Sequence, residues 1–501
     1  MERADRAHGI RGASANFLTL VGQTSMLLFQ ILGARLFGAA SWGAYAFGLS
    51  ALEICGRLGL MGADKGILVF VAARRAQSDW DGAERAIATG IRMSLILGTL
   101  LAVGVFAGAG TVGRLYGQAS FGQALRVMAV AIPMVSLTTI LLAATMARKT
   151  MSYNLLVKGA VEPILRVSLI LGLGLTLGSL GGLVLVHVIA AAGTAAVALW
   201  AFTRLYPFRR ALATVARSPF DTSLVRYAIP LALSEFVNSF LAQTNVLVLG
   251  KFRSAEDVGV YSAAMALSTA VSFLRGAFDT VLAPIAAEAL VQGDNARLAR
   301  NLQLYCRIIL TFAVPLAGLM IVGGPVLMGF HGPVFEKGRL TLAILSLGHV
   351  VNASMGLCNW TLLASGRSRI VLVNNVGAFL VNILLCVALV PRLGMEGAAL
   401  AAAATITVLQ AIIAFESFKV ARVQPFSAGF IRLVVLGAAV VGGELALYAV
   451  LPGSPLVRAL VTVVGGSAIF FLLAWLTGAE DERAMLRSLV GRRTPAQTGR
   501  A

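Results

Sequence analysis

Residues 31–52 read ILGARLFGAASWGAYAFGLSAL, and residues 248–267 read VLGKFRSAEDVGVYSAAMAL. Each stretch ends one apolar run at Leu-Gly, crosses a short connector, and opens the next run on Gly-x-Tyr: Gly43 and Tyr45 in the first copy, Gly259 and Tyr261 in the second. A second matched pair follows in each half, Gly178 and Gly181 in LGSLGGL and Gly394 and Gly397 in LGMEGAAL. The steps from Gly43 to Gly259 and from Gly178 to Gly394 are both 216 residues. Two signals kept at one spacing predict a duplicated chain: a six-helix bundle over 1–215, a second over 216–425, an unduplicated helix pair over 426–478 and a basic tail over 479–501. Parallel repeats of this kind suggest two bundles around a central cleft.

Composition sets the solvent. The 501 residues are 58% apolar and 13% charged, with a mean hydropathy of +0.86, against about one-quarter charged in soluble domains. Runs of about 20 apolar residues, enough to cross about 30 Å of hydrocarbon, recur along the whole chain. They fall near 14–36, 41–62, 86–112, 122–146, 151–177, 181–203, 224–249, 257–283, 303–329, 340–364, 370–391, 396–417, 431–451 and 456–477. The reading is an all-α polytopic membrane protein of 14 transmembrane helices. AARRAQSDWDGAERA, between the second and third spans, is charged enough to predict a surface helix. Gly33 and Gly43 are read as permitting the reversal between the first two helices, and Gly366 the one between the tenth and eleventh. Gly397 with Ala398 and Ala399 is read as a close packing face.

A net charge of +19 would suggest nucleic acid if the cations formed one patch, but most lie in short connectors. Their bias toward every second connector and both ends predicts cytoplasmic termini, with the loops near Arg74, Arg209 and Arg297 on the same side. Arg3, Arg6 and Arg11 precede a run holding Asn16, Gln23 and Gln30, which reads as an uncleaved first helix rather than a signal peptide. Cys55, Cys306, Cys358 and Cys386 lie in apolar runs without CxxC spacing, so packing is expected rather than disulfides or metal.

Charge inside the spans carries the functional signal. Each such group costs about 2.5–3.5 kcal/mol at mid-bilayer, so it should face the protein interior. Three candidates form i,i+4 pairs of opposite sign: Glu53 with Arg57, Glu162 with Arg166, and Arg275 with Asp279. Such pairs can neutralise each other structurally or present cations to a ligand. Glu235, with no cation four residues away, reads as the least compensated deep acid and the candidate for ion coupling to H+ or Na+. Arg92, Arg126, Lys158, Arg226 and Arg307 lie nearer span ends, where snorkelling accounts for them. Asn16 and Gln23 on the first helix, Asn238 on the seventh, and Asn352 and Asn359 on the tenth are polar wall candidates, with interhelical hydrogen bonding as the alternative. Walker A, HExxH and metal-ligand patterns are absent, so no cofactor is expected and no catalytic residue is assigned.

With these motifs the chain resembles the polysaccharide transporter family, the Wzx-type flippases of the larger group that also holds multidrug-extruding MATE proteins and the lipid II flippase. The resemblance rests on the two quoted stretches and on LLASGRSRIVLVNN through VPRLGMEGAALAAA. It implies an undecaprenyl-diphosphate-linked oligosaccharide as substrate, moved to the outer leaflet among membrane lipids, with polysaccharide polymerase or assembly proteins as partners. Arg57, Arg166 and Arg275 would then hold the diphosphate. A MATE-type small-molecule antiporter, a lipid II flippase and a membrane-embedded glycan polymerase or ligase are the competing readings.

Overall fold

The computed structural model describes residues 2–148, 150–478 and 483, and leaves aside the side chains of 2–21, 23, 174, 175, 277 and 280. All regular elements among the described residues are helical. The chain divides into two compact units, Met1–Ser262 and Ala263–Ala501. Among the described residues, eight helices are long and apolar enough to cross a membrane. The number is nine when Ala119–Met128 and Ala131–Ala147, bent by 44°, are taken as one span.

Two of the helices are too long for one crossing. Glu2–Leu60 has 59 residues, about 88 Å at 1.5 Å per residue and nearly three times the hydrocarbon thickness. It breaks at Gly38, whose φ of 79° lies where a Cβ is disfavoured. Ser368–Ala421 breaks likewise at Gly394, φ 62°. The first reversal is therefore not at Gly33 or Gly43. Those two give close packing instead: a Cβ on Gly33 would lie 2.5 Å from the Trp42 ring. Gly366, φ 72°, does turn the chain.

The two Gly-x-Tyr motifs meet inside the first unit. A Cβ on Gly43 would sit 1.7 Å from the Ala255 carbonyl oxygen, and one on Gly259 would sit 2.1 Å from that of Ala39. The approach is reciprocal, each glycine against the backbone four residues before the other. Only residues without side chains allow backbones this near. Tyr45 and Tyr261, two residues on, are both fully buried.

The charged stretch after the second predicted span resolves differently from a surface helix. Ala63–Ala76 buries Ala63, Gly66, Ile67 and Val71, and the three apolar side chains among them join a core with Ile87, Ile140 and Leu224. Its apolar face is packed, and its charges are confined to the two ends: Asp64 and Lys65 in the first turn, Arg74 and Arg75 in the last. The next helix, Trp80–Leu115, is capped by Asp79, which accepts from Gly82 N–H at 2.8 Å.

Asp221 secures the same end of this unit. It caps Thr222–Phe252 by accepting from Leu224 N–H at 3.3 Å, pairs with Arg74, and donates its own N–H to Thr89 Oγ1 at 2.9 Å. Burial works against its charge, but the Arg74 and backbone hydrogen bonds prevail and hold its carboxyl below the usual aspartate range. A depressed native pKa stabilises the fold above the unfolded value, about 3.9, and that contribution is lost as pH falls through the native value. Asp221→Asn should lower the thermal midpoint in detergent by about 2–4 °C at pH 7. The gap to wild type should narrow below about pH 4, and an unchanged gap would remove the ionised carboxylate from the account.

Candidate functional site

The helix holding Glu162 and Arg166 is shaped by its proline. Pro163 lacks the N–H that would continue an α-ladder, and the preceding turn, Val157–Val161, is a π-turn. Gly159 in that turn lies so near the first helix that a Cβ on Gly22 would be 1.9 Å from its carbonyl oxygen. Lys158, Glu162 and Arg166 are thereby presented along one face at spacings of four. Glu162 bridges the two cations, 3.0 Å from Lys158 Nζ and 2.6 Å from an Arg166 guanidinium nitrogen.

These three groups line a cavity of about 540 Å³ in the first unit, together with Glu53, Arg57, His187, Glu235, Asn238 and Gln243. Of the sequence candidates it gathers Arg57, Arg166, Asn238, Glu235, Glu53 and Glu162. The pairing differs from the i,i+4 expectation at one place. Glu53 accepts from Gln243, while Arg57 lies 4.0 Å from Glu235 with its side chain half exposed. Glu235 also pairs with Lys65, so it is not the least compensated deep acid. Among the described residues that description fits Glu444, which is 4% exposed with an unpartnered Oε2. It fits between glycines: a Cβ on Gly466 would be 2.0 Å from Oε1, and one on Gly318 would be 2.7 Å from Oε2.

Lys158 and His187 were not predicted to line the site. Lys158 was legible in the spacing Lys158, Glu162, Arg166, but its place near a span end pointed to snorkelling. His187 gave no local signal. It is 1% exposed, its Nδ1 is 3.0 Å from the Tyr45 hydroxyl, and its Nε2 has no partner. Arg166, 7% exposed, likewise has an unpartnered Nε. Two buried polar atoms at the cavity thus lack protein partners, which costs stability unless water or a ligand meets them.

Arg275 belongs to a separate cluster in the second unit. Its Nε donates to Asp279 at 3.2 Å and its Nη1 to Asn352 Oδ1 at 3.0 Å. Trp360 Nε1 donates to Asp279 at 2.7 Å, and Gln410 Nε2 to Asn352 Oδ1 at 2.9 Å. Ser272 connects Asn352 to His349. Space for the guanidinium comes from Gly356, where a Cβ would lie 2.1 Å from Arg275 Nη1. Asn359 is only partly buried, and its Oδ1 is unpartnered. The side chains of Asn16 and Gln23 lie outside the described residues.

The profile of a family described as polysaccharide biosynthesis protein matches residues 32–332. The chain belongs to this family. The matched region contains both Gly-x-Tyr motifs, the whole set of cavity residues and Arg275. No curated protein matches the chain. Among solved structures, the chain is similar to the lipid II flippase MurJ in an inward closed conformation, at 12% identity and a TM-score of 0.72, over 95% of this chain and 100% of that one. It is also similar to a multidrug resistance MATE family transporter of the MOP superfamily in an inward-facing conformation. There the identity is 14% and the TM-score 0.66, over 79% of this chain and 94% of that one. At these identities the likeness establishes a shared multi-pass membrane fold.

Proposed function

We propose that the protein translocates a lipid-linked oligosaccharide, carried on undecaprenyl diphosphate, across the bacterial cytoplasmic membrane by alternating access. In this reading the chain crosses the membrane 14 times as two six-helix bundles and a helix pair, with both termini cytoplasmic. The observation that carries the proposal is the donor set of the first unit's cavity. Counting Lys65 behind Glu235, four cations face three carboxylates. The acids are engaged: Glu162 by Lys158 and Arg166, Glu235 chiefly by Lys65, and Glu53 by Gln243. Arg57 is held loosely, and Arg166 Nε and His187 Nε2 are free to meet an incoming group. Spare donors suit phosphate oxygens and sugar hydroxyls, whereas a cationic drug would need spare carboxylates. Membership of a polysaccharide biosynthesis family supports the glycan half of the cargo.

Cells lacking the protein should lose surface polysaccharide and accumulate lipid-linked oligosaccharide on the cytoplasmic side, where an impermeant glycosidase cannot reach it. Normal surface polysaccharide with unaltered intermediates would refute the proposal. Loss of resistance to cationic drugs, with polysaccharide intact, would instead favour an antiporter.

A further inference from the structure

A second cavity, of about 510 Å³, lies in the first unit between the end of Trp80–Leu115 and the start of Ala119–Met128. Glycines 110, 113, 117 and 122 form its floor, and Arg114, Gln118, Gln123 and Arg126 line it. The concavity follows from the sequence. Gly117 turns the chain at φ 67°, and a Cβ on Gly122 would lie 2.8 Å from the Ala109 carbonyl oxygen. Neither arginine has a carboxylate partner among the described residues. Arg114 reaches Thr111 Oγ1 at 3.4 Å, and Arg126 lies over the Phe106 ring at 5.8 Å. Both are exposed.

The cations stand at the end of Trp80–Leu115 remote from Arg74 and Asp221. By charge bias that end faces outward, and two more basic residues adjoin it: Lys251 donates to the Leu115 carbonyl oxygen, and Gln118 donates to that of Arg253. Below them, each helix presents an apolar flank. Val103 and Phe106 precede Gly110 and Arg114 at helical spacing, and Val127 and Val130 follow Gln123. All four apolar side chains are exposed. Paired guanidiniums above an exposed apolar groove have the shape of a lipid: phosphate oxygens suit the fork geometry, and acyl chains suit the wall below.

We propose that this cavity binds the headgroup of an anionic phospholipid, with its phosphodiester between Arg114 and Arg126 and its acyl chains along Phe106 and Val127. The site is independent of the translocation cavity and does not rest on the cargo proposed above. The test uses the full chain in detergent with a fluorescent phosphatidylglycerol as probe. Arg114→Gln with Arg126→Gln should weaken probe binding about tenfold or more, as should Gly110→Leu, which keeps both charges but fills the floor. Gly110 is a tractable site for this, because its nearest neighbour to an added Cβ is Arg126 Nη2 at 3.5 Å. Arg217→Gln, an exposed cation elsewhere, should bind as wild type. Equal binding by wild type and by both cavity variants overturns the assignment. So does displacement of the probe by inorganic phosphate as effectively as by unlabelled phosphatidylglycerol, because the site would then take a free anion.

Discussion

Gly43→Val should remove nearly all folded protein from the membrane, with the monodisperse fraction in detergent falling about tenfold or more. The new Cβ would have to occupy space 1.7 Å from the Ala255 carbonyl oxygen. That obstacle is backbone, so no rotamer change relieves it, and the two helices must separate along their length. Gly259→Val should do the same from the opposite side, against Ala39. Because either substitution opens the same crossing, the double variant should be little worse than each single one. Gly104→Val is the control: it is also inside a helix, but an added Cβ there meets nothing within 4 Å. If Gly43→Val accumulated like Gly104→Val, the crossing would not hold the unit together.

The second large effect is an asymmetry between two residues 2.6 Å apart. Glu162→Gln should lower the amount of folded protein, because Lys158 and Arg166 would both lose their shared anion. Breaking a buried pair in this way costs about 3–5 kcal/mol. Arg166→Ala should be tolerated in folding, because Glu162 keeps Lys158 at 3.0 Å. If Arg166 meets the cargo, however, Arg166→Ala should reduce glycan export by about tenfold or more at unchanged protein level, and Arg166→Lys should recover part of it. Measuring surface polysaccharide and membrane-extracted protein in the same cultures separates the outcomes. Loss of abundance in both variants would make the pair structural only; normal export by Arg166→Ala would remove Arg166 from the site.

What the sequence disclosed follows the range of each interaction. Span length is local and a repeated motif can be recognised at any distance along the chain, so the all-helical membrane fold and the importance of the Gly-x-Tyr motifs are readable from the sequence, the motifs from 31–52 and 248–267. The function of the motif glycine was not. Turn and close approach both select glycine, and only the backbone shows that Gly38 turns while Gly43 crosses. Spacing of four located the Glu162 and Arg166 pair and the Arg275 and Asp279 pair, both set by one helix. The same rule failed for Glu53 and Arg57, because Gln243 and Glu235 on another helix compete for them. His187 and Glu444 gave no warning at all. Their settings are made by Tyr45 in one case and by Gly318 and Gly466 in the other, residues distant in the chain. The place of Arg275 likewise depends on the missing side chain of Gly356, which no spacing rule reaches.

The breaks at Gly38 and Gly394 bear on how the chain is made. At each, one helix gives way to the next without a stretch of loop between them. In the proposed 14-span topology both members of each pair cross the membrane, so the first would have no hydrophilic segment behind it to hold it apart from the second. The two would then enter the bilayer together, with unsatisfied peptide groups confined to a single apex. Such an apex offers no room for an epitope tag or a protease site, and lengthening it would change the order in which the spans are delivered to the membrane.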